Sequence, residues 1–425
     1  MTHESADPID LELTAIQAAV AADLPDYLAD LERLVNIDCG SYTPDGVDEV
    51  GRWTASFLAG LGADIETRPD PDGGYGATVV ATFHGTSGQP RVLLIGHMDT
   101  VFDPGTAAAR PFRIGDGMAH GPGVTDMKSG LLAGLYAIKS ILATRGALPF
   151  ERLTFIANPD EEVGSPSSRG HIRAAAVDVD ACLVLECARA NGDIVSARKG
   201  ILDTRLAIHG RAAHAGVEPE KGRSAILEAA RVVRELHALN GRWPGVTVNV
   251  GKIAGGTRPN VVAERCDLEV DVRATTADGL RDAEAAIRDI TRVTEVPDTT
   301  IDTNVLVSWL PMEKLERSGR LVEHAQDIAG RLGFAVADTS TGGASDANST
   351  SGMGVPTLDG LGPIGGNDHS PAEYLDVGSI VPRTALLAGL LLAIARDPDV
   401  LGWRVDDPRF ASTDPESVPS PAAPA

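Results

Sequence analysis

The chain has 425 residues, 43% hydrophobic and 23% charged, enough apolar material for two packed cores and too much for wholesale disorder. Its 37 Lys and Arg against 60 Asp and Glu leave a formal net charge of −23. Such a surface repels phosphate backbones and anionic lipid, which argues against nucleic-acid and membrane partners, and any small anionic substrate needs a local basic pocket.

The opening MTHESADPIDLELTAIQ is acidic and has no basic segment followed by an apolar one, so no signal peptide is expected. No run approaches the ~18–20 consecutive apolar residues of a membrane span. Cys39, Cys182, Cys187 and Cys266 are too sparse for a disulfide framework, and none forms a CxxC pair. They read as small buried hydrophobes in a reduced, cytoplasmic protein.

In chain order, Ala- and Leu-rich helices are predicted over 12–35 and 47–62. Short β-rich runs follow at 76–83, 91–96, 153–157 and 181–186, bounded by Gly and Pro. Their near-continuous apolar character predicts strands buried on both faces. A helical stretch at 127–144 separates them, so the fold class is α/β, a mixed sheet covered by helices. From about residue 193 the pattern changes to alternating polarity, read as two strands over 193–210. A helix at 223–239, strands at 246–253 and 264–274, and a helix at 277–294 complete an α+β sandwich. Long helices return at 313–332 and 378–396 around glycine-rich loops. The expected organisation is a discontinuous first domain (1–199 and 310–403), a second domain inserted at 200–309, and a disordered Pro-, Ser- and Ala-rich tail at 404–425.

Five segments carry chemistry. His97 and Asp99 directly follow an apolar strand, where α/β sheets place their sites, and an imidazole with a nearby carboxylate suits a metal. Asp126 stands between a glycine-rich loop and a long apolar helix, so it reads either as an N-cap or as a carboxylate bridging two cations. Asp160, Glu161 and Glu162 crowd three like charges at a strand end, which suits either a solvated loop or a cation-facing cluster. Glu186 closes the run ACLVLE, and His369 lies in the glycine-rich GPIGGNDHS. Two imidazoles with several carboxylates fit zinc or a similar divalent ion, and the number of carboxylates suggests two ions.

HMDTV (97–101), GPGVTDMKSG (121–130), DEEVGS (160–165), Glu186, GRAAHAG (210–216), GGTRPNVV (255–262) and NDHSPAEY (367–374) together resemble the co-catalytic zinc aminoacylase/carboxypeptidase family. The likeness runs from about residue 30 to 396 and is greatest to bacterial glutamate carboxypeptidases. It implies a mixed-sheet zinc-peptidase catalytic domain with an inserted α+β dimerisation domain, hence a homodimer, and two Zn2+ per subunit, replaceable by Co2+ or Mn2+. It also implies that His97 and Glu186 bind one ion, Glu162 and His369 the other, and that Asp126 bridges them. Asp99 would orient His97, and Glu161 would be the general base. A cis peptide is implied between Asp126 and Met127. His214 would reach the partner subunit's site and hold the oxyanion. Asn260 and Arg273 would bind the substrate carboxylate, and the loop 341–351, with Gly342 and Gly343, would contact substrate.

The implied activity is hydrolysis of an amide bond beside a free carboxylate in a small peptide or N-acyl amino acid, releasing glutamate or a similar residue. An N-acyl-amino-acid deacylase resembling acetylornithine deacetylase or succinyl-diaminopimelate desuccinylase is the alternative. A non-catalytic relative would have lost a ligand or the base, and all five ligands, the base Glu161 and the orienting Asp99 are present. Neither GGTRPN nor GGASDAN contains the GxxxxGK[ST] pattern that cradles a phosphate.

Overall fold

The structure, a computed structural model, describes residues 8–400. They form two compact units, one from 8–196, 314–340 and 345–400, the other from 197–313 and 341–344. The tail expected at 404–425 lies outside the described residues.

The first unit is built on a six-stranded mixed sheet, in the order Asp64–Arg68, Thr78–His84, Arg152–Asn158, Arg91–His97, Ala181–Val184 and Thr357–Leu358. The first two strands run antiparallel to their neighbours, and the other four are parallel. The central strands are buried almost throughout, as expected where helices cover both faces. Their register sets His97 opposite Asn158, so the carboxyl ends of neighbouring strands meet at one rim.

Helices Pro8–Val35, Ser129–Arg145 and Ile380–Arg396 pack against one another, and Glu316–Arg331 packs on the last of them. Tyr27, Leu31, Leu135, Tyr136, Leu387 and Leu391 lie in the core they share with the sheet. From Ser129 to Ile141 every residue except Lys139 is buried, so this helix is apolar nearly all round. A Cβ at Gly130 would lie 1.8 Å from the Leu185 carbonyl oxygen, so only glycine lets the helix approach the chain that leads into Glu186.

One helix, Val377–Arg396, is long and apolar enough on average to cross a membrane, with a mean hydropathy of 1.9, although Arg383 interrupts its apolar run. This is a core helix: 72% of the window is buried. Arg383 within it donates to the carbonyls of Gly362 (3.0 Å), Gly192 (2.9 Å) and Gly360 (2.6 Å).

Besides strands Asp64–Arg68, Asp338–Thr341 and Thr357–Leu358 and helix Thr106–Ala109, three further features were not anticipated. Helix Arg169–Ala176 is one. Another is helix Asp346–Ser351, which occupies the second half of the expected 341–351 loop and is capped reciprocally by Ser345 and Asn348. The third is a small sheet in the order Gly365–Gly366, Tyr374–Asp376, Met118–His120 and Arg113–Gly115. It brings the chain around His369 beside the loop that carries Asp126.

The second unit is a four-stranded antiparallel sheet, ordered Thr247–Gly255, Arg265–Ala274, Gly200–His209 and Thr300–Trp309. Cys266, Leu268, Val270, Val272 and Ala274 alternate with polar residues, and the apolar set is buried with residues of helices Ala225–His237 and Ala277–Arg292. Of the two strands expected over 193–210, only Gly200–His209 belongs to this sheet.

Candidate active site

The site lies on the first unit's rim, and a fully buried carboxylate organises it. Asp99 accepts hydrogen bonds from Ser41 Oγ (2.7 Å), the Glu161 amide (3.1 Å) and the Glu162 amide (3.2 Å). Its own carbonyl oxygen lies 3.0 Å from His97 Nδ1, and its carboxylate 3.3 Å from the same nitrogen. A proton on Nδ1 therefore leaves the Nε2 lone pair facing inward. Nε2 is 3.1 Å from Asp126 Oδ1 and 3.7 Å from Glu186 Oε1. One side chain thus fixes both an imidazole and the turn that presents two glutamates.

Asp126 does not cap the helix that follows it. Its backbone is not helical, and the helix that follows starts at Ser129 with Lys128 at its cap position. Oδ1 faces His97, and Oδ2 lies 3.1 Å from His369 Nε2. The Asp126–Met127 peptide is cis, as the resemblance implied. Glu373 holds this loop by accepting from the amides of Gly123 (3.0 Å), Thr125 (2.9 Å) and Asp126 (3.1 Å).

The three adjacent acids divide their roles. Asp160 turns inward, accepting from the Ser167 amide and the Ser168 hydroxyl. Glu162 Oε2 meets His369 Nε2 at 3.0 Å. Glu161 has a ligand atom grouped with those of His97 and Glu186, all within 4.8 Å of one another, and His97, Asp126 and Glu162 form a second such group. Asp346 fixes the same turn from helix Asp346–Ser351, accepting from Asn158 Nδ2 (2.7 Å) and Ser165 Oγ (2.6 Å). His369 has a left-handed backbone (φ 59°), uncommon for a non-glycine residue.

The crowded acids and imidazoles perturb one another strongly. Burial, then the nearby Glu186 charge, pushes the Glu161 carboxyl well up. Burial also raises Glu162, although His369 partly offsets it. Hydrogen bonds that its ring donates to Asp126 and Glu162 push His369 up to about 11. Burial opposes a charged His97, but Asp126 and Asp99 outweigh it and raise its imidazole well above the ordinary value. Crowded buried carboxylates of this kind are relieved by divalent ions, and the two imidazoles with oxygen donors suit zinc or a similar metal. No thiol is needed, since Cys187 is buried and its thiol is pushed well up by that burial. The residues present fit such ions.

The structure brings together His97, Asp99, Asp126, Glu161, Glu162, Glu186 and His369. The remaining predicted residues belong to the second unit. His214 is exposed and accepts from the Gly216 amide at 3.1 Å. Its segment is bridged to that of Asn260, whose carbonyl accepts from the Ala215 amide at 3.0 Å. Arg273 pairs with Asp271 at 2.7 Å, the local partner that an exposed sheet face offers. Gly342 and Gly343 lie in 341–344, where the Gly343 carbonyl accepts from Arg198 Nη1 at 3.1 Å. Ser41, Asp346 and Glu373 went unassigned from sequence, although Asp346 and Glu373 lie in segments already singled out.

Fold and site together define a metal-dependent hydrolase of amide bonds. A family model described as peptidase family M20/M25/M40 matches residues 93–393, and the chain belongs to that family. Carboxypeptidase G2 of Pseudomonas sp. (strain RS-16) is 29% identical over 380 residues, covering 88% of this chain and 90% of that protein. Acetylornithine deacetylase of Klebsiella pneumoniae (strain 342) is 26% identical over 387 residues, 86% of this chain and 97% of the relative. The crystal structure of aminopeptidase PepT from Bacillus cereus superimposes with a TM-score of 0.74 at 23% identity, covering 88% of this chain and 99% of that one.

Proposed function

We propose that the chain is a two-metal carboxypeptidase that cuts an amide bond next to a free carboxylate and releases glutamate or a similar amino acid. One observation carries the reading: the two oxygens of Asp126 each face an imidazole, His97 and His369, drawn from distant parts of the chain. His97 and Glu186 would hold one ion, Glu162 and His369 the other, with Asp126 between them. Zinc is the metal proposed, with Co2+ or Mn2+ as substitutes. When bound, such ions polarise the scissile carbonyl and make the attacking water more acidic.

Glu161 takes the proton of that water and passes it to the leaving nitrogen. Its position suits the role: its amide is pinned to Asp99, and its carboxyl is grouped with His97 and Glu186. Asp99 keeps the His97 ring and the Glu161 turn in register. Arg273, with Asn260, grips the substrate carboxylate and supplies the positive charge that the surface lacks. His214 donates to the developing oxyanion of the partner subunit's site in a homodimer. The segment bearing Gly342 and Gly343 lines the substrate.

The likeness to carboxypeptidase G2 supports this reading, and the likeness to acetylornithine deacetylase supports a deacylase acting at the same site. The test is a panel of N-acyl and peptidyl glutamates beside N-acetylornithine and other N-acetyl amino acids, run with zinc-loaded protein. Faster release of glutamate than of the other amino acids is expected. Preference for N-acetylornithine would replace the carboxypeptidase with the deacylase, and no hydrolysis of any member would end both. Sedimentation of the loaded protein as a monomer would remove the His214 role.

A further inference from the structure

Glu373 is a fully buried acid that the proposed chemistry does not use. It closes the turn that carries His369. Its Oε2 accepts from the Gly123 amide at 3.0 Å, and its Oε1 from the amides of Thr125 (2.9 Å) and Asp126 (3.1 Å). Its backbone is tied to the same loop: the Glu373 carbonyl oxygen lies 3.0 Å from His120 Nδ1, and Tyr374 pairs with His120 in the small sheet.

The two imidazoles of the site are held differently. His97 ends a central strand, is buried, and has Nδ1 fixed by Asp99. His369 has a side chain 55% exposed, and its turn is closed by local bonds. Ser370 Oγ donates to the Asn367 carbonyl (2.7 Å), Asn367 Nδ2 to the Ala372 carbonyl (3.3 Å), and the Glu373 amide to the Ser370 carbonyl (3.2 Å). Such bonds keep the turn's shape without placing it relative to Asp126. Arg110 Nη1 reaches the Ser370 carbonyl from outside the turn, but at 3.4 Å. The three shorter bonds of Glu373 run straight to the Asp126 loop. That loop also has an anchor independent of His369, because Lys128 Nζ donates to the carbonyls of Pro122 (3.2 Å) and Ile37 (3.3 Å).

We infer that Glu373 is a positioning residue that sets the His369 turn against Asp126. It thereby governs the ion held by Asp126, Glu162 and His369 more than the ion held by Asp126, His97 and Glu186. The task needs a carboxylate. Three N–H donors converge on it, and only a group with two acceptor oxygens satisfies them from both sides. Glutamine would set its own NH2 against at least one of these amides, donor facing donor, where no water can intervene. Aspartate keeps both acceptors on a side chain one methylene shorter.

This inference rests on the two-metal reading above, and its test separates the two. The full chain, stripped of metal, is titrated with Zn2+ by calorimetry, and wild type should take up two ions. His97→Ala and His369→Ala mark which binding step belongs to which imidazole. Glu373→Gln should weaken the step lost in His369→Ala by about ten- to a hundredfold and the other by less than about threefold. Glu373→Asp should show the same selectivity at smaller size, and it carries the test if the glutamine variant does not fold. Lys128→Met frees the same loop from residue 37 instead and should show no preference for the His369 step. Equal weakening of both steps by Glu373→Gln, no change in either, or the same selectivity in Lys128→Met overturns the positioning role while two-metal binding stands. Wild type that binds fewer than two ions sinks the two-metal reading and this inference with it.

Discussion

Asp99 and Arg273 are both charged, and both were assigned roles from a motif, but the two units hold them in opposite ways. In the first unit Asp99 gathers a hydroxyl from residue 41, an imidazole from residue 97 and two amides from residues 161 and 162. In the second, Arg273 is paired with Asp271, two positions away on its own strand. A group fixed by partners far apart in sequence is organised before substrate arrives. A group held by local acids on its own sheet, with its side chain 29% exposed, can exchange that pairing for a substrate carboxylate. The contrast predicts large effects on turnover from the first unit and smaller effects on binding from the second.

The largest effect belongs to Glu161→Gln, expected to cut kcat by more than about a thousandfold with metal content unchanged. Metal analysis of the variant makes the check, because loss of an ion would make Glu161 a ligand rather than a base. Asp99→Asn should come next, at about ten- to a hundredfold in activity or metal affinity. A smaller loss than from Arg273→Ala would break the comparison. Arg273→Ala should raise KM by on the order of tenfold and leave kcat nearly constant, as expected when binding is removed equally from ground and transition states. A fall in kcat alone would show Arg273 to be organised like Asp99.

The smallest effect concerns Asp203, which lies opposite Asp271 in the sheet. Burial, then the Asp271 charge, raises its carboxyl from 3.8 to about 6. A folded-state value above the unfolded one means the native state binds this proton more tightly, so the stabilisation is full below about pH 4 and lost as pH rises through about 6. Asp203→Asn should flatten that slope. Partial exposure keeps the change small, on the order of 2 °C or less in Tm between pH 4 and 7.

What was legible in the sequence followed from periodicity and strand ends. The apolar runs ending at His97 and Asn158 announced buried strands, and the acids and imidazoles just beyond them announced a site. Glu373 stayed hidden because its carboxylate accepts from backbone amides of another segment, which leave no pattern in the sequence around it. Asp346 stayed hidden because the short helix it begins follows a glycine-rich stretch that reads as loop. Arg383 broke the apolar run of the last helix, yet the three glycine carbonyls that accept from it come from chain far upstream of the helix. Such contacts are set by tertiary packing, and local propensity carries no trace of them.

The first unit is assembled from chain on both sides of the second. During synthesis, therefore, the whole of 197–313 leaves the ribosome before strand Thr357–Leu358 and helix Ile380–Arg396 can complete the earlier sheet and core. Until then the nascent chain exposes the apolar surface that this helix will cover, and Asp126 and Glu162 wait for His369. Chaperone protection of that half-built surface should thus be needed longest while the second unit is being made.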